Sequence, residues 1–173
     1  MHRDIIEQQD MLNHLFEQAE LLQGKSDIDN QIKAQFVWYL CIRASSYVEF
    51  SVRRILLEYV KVEADRAPNL ANFVNKKLEH SFNPKPSKIL ELVELFSSEW
   101  KQNLGRSIDG RLSSSLGSIV ANRNKIAHGE ISDITFARLS GFYADAQEVV
   151  KLMYEECDHR NVESRVREAE NST

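Results

Sequence analysis

Arg123, Asn124 and His128 fall within the stretch RNKIAHG at 123–129, a permanent cation, an amide and an imidazole set just ahead of a glycine. These residue types can handle a phosphodiester. Arginine makes a fixed two-pronged contact to phosphate oxygens, and histidine gives or takes a proton near neutral pH. That chemistry requires no metal. Each residue of a helix advances ~100°, so Arg123 and His128, five apart, point ~140° away from one another, while Asn124 and His128, four apart, share a face. Arg123 reaches that face only through its length and because the helix ends nearby. Gly129 is the residue type expected just past a helix end, where a positive φ is needed, which puts His128 in the last turn. The partial negative charge of that end favours a protonated imidazole. A plainer reading competes. Histidine followed by glycine is an ordinary helix cap, and Arg123 could pair with a nearby carboxylate. On spacing alone the cap is the stronger reading, because R-x-x-x-x-H is a loose pattern.

The elements that must carry these residues read as helices throughout. Only 6 Gly and 3 Pro occur in 173 residues, and alternating Val, Ile and Thr runs are missing, so the expected fold class is an all-α bundle. One helical domain is expected over 1–157, with a polar, flexible tail at 158–173. Apolar spacing predicts a first helix from about Asp4 to Leu22 and a long second helix from about Ile28 to Ala64. A short helix follows Pro68 and runs through about Glu79. SFNPKPS at 81–87 is the clearest loop. KILELVELF reads as a helix, and SSEWKQNL as a separate short turn or helix capped by Ser97 or Ser98. The motif then ends a helix that begins near Arg111, and a final helix runs from Asp133 or Thr135 to Cys157. At ~1.5 Å per residue the second helix spans ~50 Å, and nearly every position from Phe36 to Ile42 is apolar. Such a helix is expected to be a bundle spine that also meets a second copy of the chain.

Composition narrows the function classes. A net charge of −4 argues against bulk electrostatic capture of nucleic acid, so any polyanion site must be local. Cys41 and Cys157 lack metal-ligand spacing, and Cys41 reads as a buried free thiol. The opening MHRDIIEQQD does not resemble a signal peptide. No apolar stretch nears the ~20 residues that span a bilayer, so a cytoplasmic protein is expected, with no membrane partner. No glycine-rich phosphate loop appears, which weighs against ATP hydrolysis. His14, His80 and His159 show no ligand spacing with Cys, Asp or Glu, so no metal is expected. Glu49 and Arg53, four apart, have the geometry of a helical ion pair, with lining of a shared cleft as the alternative. Arg53-Arg54, Lys76-Lys77 and Arg106 with Arg111 read as solvated charge before RNA contacts. Trp38 and Tyr39 read as core or dimer interface before base-stacking platforms.

The sequence SIVANRNKIAHG, followed by one amphipathic helix and preceded by several, resembles the HEPN superfamily of helical domains. Arg123, Asn124 and His128 match its motif, and Ala127 and Gly129 fit the common R-N-x-x-A-H-G form. SSYVEFSVRRILLEY in the long helix, NPKPSKILELV and ITFARLSGFYADAQEVVKLM look most like the RiboL-PSP-HEPN subgroup, over roughly residues 30–157. The resemblance implies a homodimeric all-α bundle that brings two Arg/His motifs together in a cleft. Active members are endoribonucleases of toxin–antitoxin and antiphage systems that need no metal or cofactor. By that likeness, His128 assists attack of the ribose 2′-OH or protonates the leaving 5′ oxygen, Arg123 stabilises charge on the phosphate, and Asn124 orients either. The implied partners are an RNA substrate, a second copy, and an antitoxin or defence-system protein. Some toxin members carry a Tyr two residues after the His that a partner enzyme nucleotidylates; Glu130 stands there in this chain, so that mode is not carried over. Other members bind without cutting. The alternative function is therefore a non-catalytic dimerisation module that binds RNA, a nucleotide or a protein.

Overall fold

Local signals set where each helix starts and stops. The computed structural model describes residues 1–63, 68–78 and 82–158. Among these the chain forms α1 (Arg3–Gln23), α2 (Asn30–Glu63), α3 (Pro68–Leu78), α4 (Pro86–Glu94), α5 (Ser98–Ser107), α6 (Gly110–Ala127) and α7 (Phe136–Cys157). The Ser97 hydroxyl caps α5 by accepting from Trp100 N at 3.3 Å, and Thr135 caps α7 by accepting from Arg138 N at 3.4 Å. SFNPKPS is shorter as a loop than expected, because α4 already starts at Pro86. Proline suits that position, where its missing N–H would have had no helical partner. The expected extension of α3 to Glu79 lies outside the described residues, as do His80, the Lys77 side chain, and His159 with the rest of the tail.

Four helices build the core, and their directions follow from cross-contacts. Tyr47 donates to Gln9 Oε1 at 3.2 Å and Arg54 pairs with Asp4 at 2.8 Å, so α1 runs antiparallel to α2. Ser115 donates to Asp145 at 2.6 Å and Arg111 to Glu148 at 3.0 Å, so α6 runs antiparallel to α7. Phe16 stacks on Tyr143 at 4.4 Å while His2 meets Tyr154, which sets α7 antiparallel to α1 and parallel to α2. Helix α2 is the spine, with α1, α6 and α7 packed around it. Val37, Leu40, Cys41, Ala44, Val48 and Val52 are buried there. Burial pushes the Cys41 thiol up to about 12, as a free thiol in an apolar core requires.

Internal packing uses up most of the apolar surface of α2, and one stripe remains. Ile32, Phe36, Tyr39, Arg43, Ser46 and Phe50 recur at spacings of four and three along one face, on which Phe36 is half-buried against the core edge. Ile32 is 56% exposed, Tyr39 42% and Phe50 37%. Phe36 and Tyr39 stack at 6.0 Å, and Arg43 donates to the Tyr39 hydroxyl at 3.1 Å. The over-apolar run read from the sequence thus divides into a buried part and an exposed ribbon.

Among the described residues one charged side chain is buried in this core, beside a few buried serines. Asp145 is buried between α6 and α7, where it accepts from the Ser115 hydroxyl and pairs with Arg111. Arg111, expected as solvated charge, is thus an anchor. A buried carboxylate keeps its place only while its partners remain. Arg111→Met is expected to lower unfolding stability by about 2 kcal/mol, read as a drop in the urea midpoint at unchanged slope. An unaltered midpoint would show that solvent satisfies Asp145 without Arg111.

Candidate active site at the end of helix α6

Helix α6 ends at Ala127, and His128 is its C-cap at φ −91° and ψ 7°. Gly129 has φ +76°, the one positive φ among the described residues. Its N–H donates to Ile126 O at 3.1 Å, and the Glu130 N–H donates to Lys125 O at 2.9 Å. This paired closure satisfies the last carbonyls of the helix and needs a left-handed residue at position 129. His128 therefore sits one step past the last helical residue rather than within the last turn. A Cβ at Gly129 would meet nothing within 4 Å, so the cost of Gly129→Ala is backbone strain alone. That substitution is expected to lower stability by about 1 kcal/mol and to loosen the cap. Thermal unfolding checks the first effect, and amide exchange at Glu130 the second.

The plain-cap reading is met in part: His128 and Gly129 do close the helix, whereas the Arg123–carboxylate pair is not formed among the described residues. The cap is made by backbone N–H groups, while the exposed His128 imidazole has no hydrogen bond or ion pair among the described residues. Arg123 pairs with no carboxylate there either. It is half-buried, shares a face with the fully buried Ile119, and donates through Nη1 to Asn124 Oδ1 at 3.1 Å. Asn124 thus contacts Arg123, its chain neighbour, rather than His128. No hydrogen bond joins Arg123 to His128. One chain presents a guanidinium fixed by an amide and, separately, a free imidazole.

Register along the bundle places the remaining candidates. Cys41 Sγ lies 3.5 Å from Ile119 O, and Trp38 Nε1 donates to Ser132 O at 2.9 Å. Since α2 and α6 are antiparallel, the motif lies beside the first half of α2. Glu49 and Arg53 lie on the far side of Cys41, about 18 and 24 Å from Arg123 along the axis at 1.5 Å per residue. The expected ion pair between them is not formed. Among the described residues neither has an ion-pair or hydrogen-bond partner, and Arg53 Nε is buried and unpaired. They do not line the motif of their own chain. Arg54 pairs with Asp4 and Glu58, Arg106 Nη2 donates to Asn103 at 3.2 Å, and Lys76 is exposed. His14 pairs with Glu17 at 3.4 Å on the surface. Among the described residues no three His, Cys, Asp or Glu side chains converge as metal ligands, and no helix is long and apolar enough to cross a membrane.

A family model for RiboL-PSP-HEPN domains matches residues 3–159. The chain belongs to the RiboL-PSP-HEPN family. The match covers all seven helices and the motif, and it extends the likeness read from the sequence back through α1. Neither a curated protein nor a solved structure gives a significant match to this RiboL-PSP-HEPN chain.

Proposed function

We propose that this RiboL-PSP-HEPN protein is a metal-independent endoribonuclease that acts as a homodimer, of the kind found in toxin–antitoxin and antiphage systems. The observation that carries the reading is the pairing of an immobilised Arg123 with an unengaged His128 at one helix end. The proton balance suits two such ends. One His128 takes the proton of the ribose 2′-OH as the O2′–P bond forms, and the other gives a proton to O5′ as the P–O5′ bond breaks. Arg123 neutralises charge on the non-bridging oxygens, and Asn124 holds the guanidinium in place. Products are a 2′,3′-cyclic phosphate end and a 5′-hydroxyl end. DNA, which lacks the 2′ nucleophile, is not a substrate.

Two observations support a second copy. Arg123 and His128 share no hydrogen bond within one chain, and exposed Ile32 and Tyr39 leave an apolar face on the first half of α2, level with the motif. Glu49 and Arg53 reach a cleft only if the partner copy brings them there.

The test is direct. Purified protein is incubated with mixed RNAs in EDTA, and the ends are mapped. Cyclic-phosphate ends on RNA and no cutting of DNA are expected. Tight RNA, nucleotide or protein binding without any cleavage would replace this reading with the non-catalytic module.

A further inference from the structure

The segment between α6 and α7 is held from two sides by residues that the motif does not include. Trp38, on α2, reaches across 94 positions to donate to Ser132 O at 2.9 Å. The Ser132 hydroxyl donates to Asn122 Oδ1 at 2.8 Å and accepts from Ile134 N at 3.4 Å. Asn122 Nδ2 donates in turn to Ser118 O at 2.8 Å, so both ends of that amide are committed and its orientation is set. Ser132 is 5% exposed and Ile134 6%, whereas Ile131 is 84% exposed. The segment therefore runs as an extended strap, with alternate side chains turned in against Trp38 and Asn122.

This strap bears on His128. The cap at 129 and 130 ties only the backbone of the helix end, and the His128 imidazole has no hydrogen-bond or ion-pair partner of its own among the described residues. Its direction is inherited from the backbone at 128 and 129, which continues directly into the strap. We infer that Trp38 and Asn122 are positioning residues that hold His128 by pinning the segment 129–135. The inference rests on the RNA-cleavage reading above. Trp38 thereby has a role beyond packing. It joins the spine helix to the site through one N–H, and a phenyl ring could fill the same space without that bond.

Trp38→Phe removes the N–H and keeps an aromatic ring, while Asn122→Ala removes the opposite arm. In both, with dimerisation and melting temperature monitored, exchange of the Gly129 and Glu130 amides is expected to speed up about tenfold relative to the middle of α6. RNA cleavage should lose kcat by about tenfold with KM within about twofold, the signature of a misplaced group rather than lost binding. In a His128→Ala background, Trp38→Phe should lower cleavage no further. Two results would overturn the inference and leave RNA cleavage standing. They are unchanged exchange in both variants, and full kcat in both despite faster exchange. A wild type that cuts no RNA overturns the parent reading, and this one with it.

Discussion

Replacing His128 by Ala is expected to reduce RNA cleavage by about 10²–10⁴-fold, the range supplied by one positioned acid or base, and to leave the fold unmoved. In barrier terms that is about 3–5 kcal/mol. The two halves of the expectation come from the same geometry. The imidazole is exposed and bonded to nothing among the described residues, so its removal breaks no contact, and the cap persists through backbone N–H groups. Arg123→Ala should produce a loss of similar size. Arg123→Lys should recover little, since an ammonium keeps the charge but loses the planar fork that grips two phosphate oxygens. Asn124→Ala should be milder, because it frees the guanidinium without deleting it. Single-turnover cleavage in EDTA, beside thermal melts, separates these outcomes. Equal cleavage by wild type and both Ala variants would sink the catalytic assignment. A His128→Ala protein that melts early while cutting normally would restore the plain cap.

The second large effect concerns the second copy. Ile32→Asp combined with Tyr39→Asp should convert the proposed homodimer to a 20 kDa monomer and abolish cleavage. Each apolar side chain buried at an interface contributes about 1.5–3 kcal/mol, and two-fold symmetry counts every substitution twice. The pair should therefore weaken association by at least about 10³-fold. Because both side chains are exposed in the single chain, the monomer should stay folded. Sedimentation velocity with a cleavage assay decides the matter. Variants that remain dimeric and active would move the interface off this ribbon. A wild-type monomer that cuts RNA would remove the composite site.

Legibility of the site from the sequence followed the range of the forces involved. Gly129 was readable because a left-handed C-cap is a local demand of one residue type, and its φ of +76° meets it. The all-α bundle was readable because periodicity survives any tertiary arrangement, whereas the nearly continuous apolar run at 36–42 hid which of its side chains stay exposed. The Glu49–Arg53 pair failed for a reason of magnitude. Such a pair is worth only about 0.2–0.5 kcal/mol, so spacing alone does not decide which pairs form: Arg54 and Glu58, also four apart, do pair. The bond from Arg123 to Asn124 was missed because helical face geometry argues against neighbours in sequence, while a long guanidinium folds back easily. Asp145 with Ser115, and Trp38 with Ser132, were out of reach. Partners 30 and 94 positions apart leave no spacing to read.

The parallel packing of α7 against α2 has a consequence for synthesis. Helix α7 covers a side of α2 that α1 and α6 leave open, and it follows RNKIAHG in the chain. A ribosome therefore makes the motif before it makes part of the scaffold that the motif depends on. Until residue 157 has emerged, the spine has an uncovered apolar flank and the bundle cannot close. A nascent chain thus carries RNKIAHG before the bundle that positions it has closed.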